Sequence, residues 1–257
     1  MVEQLLINVD DYDVPDANLL VTEDDTPVDN LASAKQQRLL VRSLYSSLQN
    51  QTFLATANVG VYHTAGEPPI VPDVFISFDV QVPENWWEKQ NRSYLVWKFG
   101  KVPEVVIEIV SNQEGEELEK KLRIYEKMRV IYYIVYDPCQ QLGEEILRIY
   151  RLNGRYYMET QETWLEQVGL GVTLWSGEFE GKQDNWLRWC YQDGNVLPTG
   201  DERAEMERLQ KEEAQQRAEN AETRAQTAEN RAQLLAERLL AMGVDPENLK
   251  HDNLKEY

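Results

Sequence analysis

Apolar residues along the first 160 positions follow two spacings, one typical of helices and one typical of strands. Leucines three or four positions apart predict an amphipathic helix over residues 33–50, and a second helix is predicted near residues 115–129. Short β-branched or aromatic runs predict strands. The predicted strands are residues 52–62, 72–78, 103–111 and 130–138, followed by a hairpin of 146–151 and 155–160 around Asn153-Gly154. This order of helices and strands predicts an α/β domain with a mixed central sheet flanked by helices.

The stretch from residue 164 to residue 199 is rich in tryptophan and in turn-forming residues. It predicts short strands or turns that pack against the sheet. We expect the folded domain to cover residues 31–200, preceded by an acidic arm over residues 1–30. A helix over residues 201–243 and a tail over residues 244–257 complete the predicted organisation.

A heptad pattern begins after residue 201. Positions at alternating steps of three and four over residues 204–242 are small or apolar except for Glu207 and Lys211, with Ala218 at position a and Ala221 at position d. The g and e positions are charged, namely Arg217, Arg224, Arg231 and Arg238 at g, with Glu222 and Glu229 at e. In a parallel pair these g and e residues face each other across the interface. The pattern predicts a homodimer through a parallel coiled coil. A single charged helix is the alternative, because alanine buries little area.

One charged residue interrupts an apolar run in the predicted strand 103–111. Residues 105–110 are β-branched except for Glu108, and a buried carboxylate is costly unless a cation or hydrogen bonds meet it. Asp73 follows Pro72 at the start of another apolar strand. Two carboxylates on adjacent strands can share a divalent cation such as Mg²⁺. The alternative for Asp73 is an ordinary strand-entry residue.

The predicted helix 115–129 adds two charges on the side that should face the sheet. On a helical spacing of about 100° per residue, Glu117 and Lys121 lie within the apolar arc, whereas the other charged residues lie outside it. One interpretation is an ion pair whose lysine reaches solvent at the helix edge. The other is a carboxylate–lysine cluster around a metal. Such a cluster suits phosphodiester cleavage, because a divalent ion neutralises charge and activates water while an ammonium stabilises the developing charge.

Composition and charge argue against several other classes of protein and of functional site. The net charge is −19, of which residues 1–30 contribute −9, so the chain does not resemble a histone-like nucleic-acid binder. No apolar run reaches the ~18 residues of a membrane span, and the N-terminus lacks the pattern of a signal peptide, so we expect a cytoplasmic protein. With two cysteines and two histidines, no thiolate zinc site or catalytic triad is indicated. We expect His63 to be a strand-end residue. Trp86, Trp87 and Trp97 are suited either to base stacking or to the core and its rim.

Several stretches in this order resemble the PD-(D/E)xK nuclease superfamily and, within it, a restriction-endonuclease-like family greatly multiplied in cyanobacteria. The stretches are VPDVFIS, VPEVVIEIVS, Lys121 with Tyr125, and RVIYYIVYDP, and the resemblance covers roughly residues 20–180. A subgroup with a C-terminal coiled coil matches further in WLRWCYQDGNVLPT, the Arg heptads and LLAMGVDPENL.

The resemblance implies a restriction-endonuclease-like core and a Mg²⁺- or Mn²⁺-dependent DNA endonuclease. It implies metal ligation by Asp73, Glu108 and the carbonyl of Ile109. The catalytic lysine would be Lys121 on the helix, because the position two after Glu108 is Val110, and Glu117 would be a supporting acid. Three basic residues of the first helix are predicted phosphate contacts, namely Lys35, Arg38 and Arg42.

The chain also departs from the family pattern. Arg129 stands where the family has glycine before the last strand, SNQEGEE replaces a Ser/Thr-rich loop, and the first helix carries no acid. These departures and the acidity favour a rival hypothesis, namely a catalytically weak or inactive nuclease fold that acts as a coiled-coil interaction module or a DNA-associated module. A nuclease acting on RNA or on branched substrates would use the same residues.

Overall fold

A six-stranded mixed sheet forms the centre of the first folded unit. The computed structural model describes residues 30–64, 66–111 and 117–245 of the 257-residue chain. The central strands are β1 (Phe53–Ala57), β3 (Val74–Phe78), β5 (Val105–Ile109), β6 (Tyr132–Tyr136), β7 (Leu147–Asn153) and β8 (Tyr156–Thr160), in the order β1-β3-β5-β6-β7-β8. Neighbouring strands are antiparallel except β5 and β6, which are parallel. The α/β class with a mixed sheet is therefore confirmed.

The remaining elements flank this sheet or follow it. The short strands β2 (Val61–Tyr62) and β4 (Tyr94–Leu95) pair in parallel, and an antiparallel sheet contains β9 (Trp164–Leu165), β10 (Leu170–Phe179) and β11 (Lys182–Cys190). The α-helices are α1 (Leu31–Ser47), α2 (Val96–Phe99), α3 (Leu122–Met128) and α4 (Gly200–Ala241). A π-helical turn, Glu117–Lys121, leads directly into α3.

The two faces of the central sheet are buried by different elements. On one face, side chains of β5 such as Ile107 share a core with Leu44 of α1 and Trp189 of β11. On the other face, Val106 shares a core with Tyr125 of α3. Because side chains alternate along a strand, Glu108 projects on the same side as Val106, toward α3.

The start of α1 is fixed by its cap and by a buried amide. The Asn30 side chain accepts hydrogen bonds from the backbone N–H groups of Ala32 and Ser33, which satisfies donors that a helix start leaves free. One turn later the buried Gln36 both donates to the carbonyl of Leu187 (2.7 Å) and accepts from its N–H (3.1 Å). This pair of bonds ties α1 to β11.

Three local predictions need correction. The predicted strand 52–62 is two strands, because Asn58 adopts a left-handed conformation (φ 54°) between β1 and β2. The predicted short elements of residues 164–199 include a long hairpin, β10–β11, whose turn residues Glu180 and Gly181 both have positive φ. The predicted turn around Asn153-Gly154 is displaced by one residue, since Asn153 pairs with Tyr156 across a Gly154-Arg155 loop.

The chain divides after Gly200 into a second unit that contains α4. Gly243 adopts φ 78° beyond the end of α4, and the N–H of Val244 donates a hydrogen bond to the carbonyl of Leu239, so the glycine terminates the helix. The described helices include none with the length and apolarity needed to cross a bilayer. The acidic arm apart from residue 30, most of SNQEGEE and most of the tail 244–257 lie outside the described residues.

Substitution of Gly171 tests the close packing of the second sheet. A Cβ atom at Gly171 would lie 2.6 Å from the Cys190 sulfur and 3.3 Å from the carbonyl oxygen of Thr163. Overpacking of this kind costs about 1–3 kcal/mol, so we expect Gly171→Ala to lower the free energy of unfolding by that amount in urea titrations. Gly200→Ala is the matched control, because a Cβ there meets no atom within 4 Å. Equal stability of the two variants would contradict the packing argument.

Candidate active site

Asp73 and Glu108 lie opposite each other on one face of the central sheet. The antiparallel register of β3 and β5 pairs Val74 with Ile107 and Phe75 with Val106. Continued by one residue, this register sets Asp73 opposite Glu108, and directly opposed residues have Cβ atoms about 4.5–5.5 Å apart. The Asp73 carboxylate also accepts a hydrogen bond from the backbone N–H of Ile109 at 2.7 Å. The strand pairing therefore brings the two predicted acids together.

Glu108 is 1% exposed, and two donors meet its carboxylate. The Lys121 ammonium lies 2.8 Å from Oε2, and the Tyr125 hydroxyl donates to Oε1 at 2.6 Å. Burial raises the pKa of Glu108 to about 8, an effect to which Asp73 adds and which Lys121 and Tyr125 oppose. Buried acids with strongly shifted pKa values beside a specific cation are typical of functional sites.

The ammonium of Lys121 comes from the helix, where the sequence pattern expects it. Burial alone would lower the pKa of Lys121, but Coulombic attraction and the hydrogen bond to Glu108 raise it above its ordinary value. Lys121 therefore carries its charge at neutral pH. Burial likewise raises the pKa of Tyr125 well above its usual range, so its hydroxyl keeps the proton that it donates to Glu108. The catalytic roles of these residues stay predictions.

Glu117 is buried beside Lys121 at the start of the π-helical turn. Its Oε1 lies 3.2 Å from the Lys121 ammonium, and its backbone carbonyl accepts a hydrogen bond from Tyr133 at 2.9 Å. Its other oxygen, Oε2, is buried and has no hydrogen-bond partner among the residues that the structure describes. Single π-helical turns are rare and occur frequently at functional sites. The turn places the predicted supporting acid at the lysine.

Gln37 of α1 joins the site although the sequence pattern did not single it out. Its buried side-chain amide donates to Oδ1 of Asp73 at 3.1 Å and exchanges hydrogen bonds with the side chain of Asn58. The helix therefore supplies a neutral amide to the Asp73 carboxylate. A glutamine among several polar helix residues has no local signal that distinguishes it, because its partners lie 21 and 36 positions away.

His63 also lies closer to the site than the sequence indicated. It follows the end of β2, as expected, but it lines a cavity of about 350 Å³ together with Lys121 and Lys120. Its Nε2 lies 3.1 Å from a carboxylate oxygen of Glu67. The cavity gives the Lys121 ammonium a route to solvent and an opening beside a histidine.

The donor set at Asp73 and Glu108 fits a hard divalent cation. Carboxylate and carbonyl oxygens are the ligands of Mg²⁺, which is commonly held by one or two carboxylates and several waters. Within the described ranges no group of three His, Cys, Asp or Glu side chains is spaced to hold a metal by itself. A metal here would therefore rely on two carboxylates, a backbone carbonyl and water.

The three basic residues predicted to contact DNA converge on a single acid. Glu180, at the tip of the β10–β11 hairpin, lies within 3.4 Å of the charged groups of Lys35, Arg38 and Arg42. Three cations share one carboxylate, so this part of α1 keeps a positive balance. Contact between these residues and DNA stays a prediction.

The pairing at Glu180 has a pH dependence with a defined sign. The hydrogen bond from Arg38, followed by that from Lys35, lowers the pKa of Glu180 to about 2. The ionised carboxylate therefore stabilises the fold above its ordinary pKa of 4.5, and this contribution is lost as the pH falls toward 2. We expect Glu180→Gln to be less stable than the wild type at pH 7, with a difference that shrinks between about pH 5 and about pH 3 in urea titrations.

Glu178→Gln is the control for this measurement, because it removes an exposed carboxylate from the same hairpin. A Glu180→Gln difference that stays constant over this pH range would show that the ion pairs contribute nothing to stability.

Comparison with known proteins places the chain in a family. A family model described as "Uma2: Putative restriction endonuclease" matches residues 23–175. A solved structure of a "putative nuclease belonging to DUF820" from Anabaena variabilis ATCC 29413 is similar at 19% identity, over 54% of this chain and 72% of that chain, with a TM-score of 0.38. No curated protein matches the chain. Because the family match spans more than half of the 257 residues, the chain belongs to the Uma2 restriction-endonuclease family.

Proposed function

We propose that this protein is a divalent-metal-dependent endonuclease that hydrolyses DNA phosphodiester bonds. The observation that carries the proposal is the convergence of Asp73, Glu108 and Lys121 on one face of the sheet, with the ammonium 2.8 Å from the buried carboxylate. Membership of a restriction-endonuclease family supports the same reaction. A phosphodiester is an anion that resists attack, and the cluster combines the acids and the cation that such a reaction needs.

Each residue of the cluster has a task that follows from its contacts. Asp73, Glu108 and the carbonyl of Ile109 would hold Mg²⁺ or Mn²⁺, which when bound neutralises phosphate charge and makes water a better nucleophile. Lys121, which reaches the cavity lined by His63, would donate to a phosphate oxygen and stabilise the charge that develops on it. Tyr125 fixes the orientation of the Glu108 carboxylate by its 2.6 Å hydrogen bond.

The positioning of Asp73 and Lys121 depends on residues that would not touch the substrate. Gln37 and the N–H of Ile109 donate hydrogen bonds to the two oxygens of Asp73 and so fix the orientation of its carboxylate. Glu117 is a second carboxylate partner of the Lys121 ammonium, in addition to Glu108. Lys35, Arg38 and Arg42 would contact phosphates farther along the strand. The same residues would serve on RNA, which the substrate panel of the assay must include.

Cleavage of supercoiled plasmid in Mg²⁺ or Mn²⁺ tests this proposal. We expect Asp73→Asn to reduce the rate to background, because it removes one of two metal-binding carboxylates. Lys121→Met should reduce the rate about 10²–10³-fold, the usual effect of losing one donor to the developing charge. Asp79→Asn is the matched control, since Asp79 is an exposed aspartate just beyond the other end of β3. Equal rates for wild type and Asp73→Asn would refute the enzyme assignment.

The rival function is a nuclease-fold module that lacks full activity. It is favoured by one observation, namely that both oxygens of Glu108 already have donors in Lys121 and Tyr125. Titration of Mn²⁺ into the wild type by calorimetry separates the two functions. The enzyme should bind the ion in an Asp73-dependent manner, whereas the inactive module should show neither binding nor cleavage.

We also propose that α4 pairs with α4 of a second copy in a parallel coiled coil. The helix has 42 residues, none of them buried, and its Arg217 pairs within the same helix with Glu213 at 3.2 Å. An exposed intrahelical ion pair of this kind contributes little to stability. The arginine can therefore leave Glu213 and pair with a glutamate of the partner helix instead. The leucines near its C-terminal end supply most of the apolar area for such a pair.

Two adjacent leucines distinguish a paired helix from a single one. Leu235 occupies a d position and is 52% exposed, whereas Leu234 occupies a c position and is 55% exposed. We expect Leu235→Asp to convert a dimer into a monomer in light scattering coupled to gel filtration, because it places a charge in the seam. Leu234→Asp should leave the mass unchanged. A wild-type protein that has the mass of a single chain would refute the coiled-coil proposal.

A further inference from the structure

A second cavity lies at the β1 edge of the central sheet, away from Lys121. It has a volume of about 540 Å³, and six of its fifteen lining residues are aromatic. The aromatic lining residues are Tyr45, Phe75, Trp86, Trp87, Tyr94 and Phe99. A cavity of this size accommodates a planar ligand the size of a nucleotide.

Two tryptophans at the mouth of this cavity are left open to solvent. Trp86 is 57% exposed and Trp87 is 75% exposed, and their ring centroids lie 5.4 Å apart with an angle of 55° between the planes. Large aromatic side chains contribute most to the free energy of folding or binding when they are buried. Two adjacent exposed tryptophans therefore indicate a surface that a partner covers. Their tilted rings offer two faces to a flat ligand.

The loop that carries these tryptophans is held in place by its own hydrogen bonds. Arg92 donates from Nε to the carbonyl of Trp87 at 2.9 Å, and Asn91 donates to the carbonyl of Asn85 at 2.8 Å. Behind the loop, Tyr94 and Phe99 stack with centroids 4.4 Å apart and planes within 5° of parallel. The loop that carries the two tryptophans is therefore ordered before any ligand binds, which reduces the entropy cost of binding.

The charge around the cavity favours an anionic ligand. Residues 82–104 carry four basic and three acidic residues, a balance of +1 in a chain of net charge −19. One of these acids, Glu104, is the ion-pair partner of Lys101. Arg92 is the basic residue among those that line the cavity. Cations beside exposed aromatic rings are the combination by which proteins bind single-stranded nucleic acid, with bases stacked on the rings and phosphates near the cations.

The cavity and the acid cluster share one strand of the sheet. Phe75 lines the cavity, and Asp73 lies two residues earlier on the same face of the sheet, about 7 Å away along the strand. A nucleic-acid strand that placed a base in the cavity would therefore carry its backbone toward Asp73. We propose that this cavity, with Trp86 and Trp87, binds an unpaired base of the nucleic-acid substrate. The inference deepens the proposed nuclease function and rests on it.

Tryptophan fluorescence of the full chain, measured in a metal chelator so that no cleavage occurs, tests this inference. An oligonucleotide of about ten thymidines should quench the fluorescence saturably. The Trp86→Ala/Trp87→Ala variant should bind it at least 10-fold more weakly by fluorescence anisotropy of a labelled strand, and the double Trp→Phe variant should bind within a few-fold of wild type. Tyr156→Ala is the control, because Tyr156 is an exposed aromatic on β8, at the opposite edge of the sheet.

Three probes fix the chemistry of the ligand. An abasic strand of equal length and a polyglutamate peptide carry charge without bases, and both should bind no more tightly to wild type than to the double alanine variant. A free thymidine nucleotide that bound as tightly as the oligonucleotide would overturn a strand-binding role. Equal oligonucleotide affinity of the double alanine variant and the wild type would overturn the inference altogether.

This experiment is independent of the cleavage assay. A protein that binds oligothymidine through Trp86 and Trp87 but cuts no plasmid would refute the nuclease function and leave base binding in place. A protein that cuts plasmid in an Asp73-dependent manner, with unchanged oligonucleotide affinity after loss of both tryptophans, would refute only the base site. Thermal unfolding of the double variant checks that its fold is intact, as the exposure of both side chains predicts.

Discussion

The structure around the site depends on the burial of the Glu108 carboxylate in the central strand of the sheet. A buried charge without partners costs several kcal/mol, whereas Lys121 and Tyr125 supply a cation and a hydroxyl at 2.8 and 2.6 Å. Both donors come from the helical segment 117–128. The electrostatic requirement of one strand residue therefore fixes where this segment lies and which of its faces meets the sheet.

The geometry of the two acids is a consequence of core packing. Val74 and Ile76 belong to the core on the α1 face, while Phe75 and Val106 belong to the core on the α3 face. A shift of the β3–β5 register by one residue would exchange these faces and expose apolar side chains on both. The same shift would move Asp73 to the face opposite Glu108. Many apolar contacts thus hold two carboxylates in a position that their mutual repulsion disfavours.

The parts of the site that could be predicted from sequence are those that interrupt a local pattern. Glu108 interrupts an apolar strand, and Glu117 and Lys121 interrupt the apolar face of a helix. The apolar pattern of the strand and the spacing of residues around the helix are therefore enough to identify all three. Gln37, Asn58 and Glu180 could not be found in this way. Each belongs to a helix or turn in which polar residues are ordinary, and each acquires its partner through the fold.

Parts of the fold that depend on unusual backbone conformations could not be predicted from the sequence either. The division of residues 52–62 follows from a left-handed Asn58, and α3 ends on a left-handed Arg129 (φ 72°) where glycine is usual. Secondary-structure propensities give no indication that either residue adopts a left-handed conformation. The π-helical turn at Glu117 is likewise invisible to a wheel of about 100° per residue, although the wheel still placed Glu117 and Lys121 on the correct side.

The net charge of −19 argues against nucleic-acid binding only if charge acts over the whole molecule. Exposed charges are screened beyond about 8 Å at physiological ionic strength, so a phosphate responds mainly to its immediate neighbours. Residues 82–104 have a balance of +1, and Lys35, Arg38 and Arg42 share the single carboxylate of Glu180. On this scale the first unit presents positive surface beside β3 and along α1. An acidic protein can therefore bind a polyanion at the places where its own acids are already paired or absent.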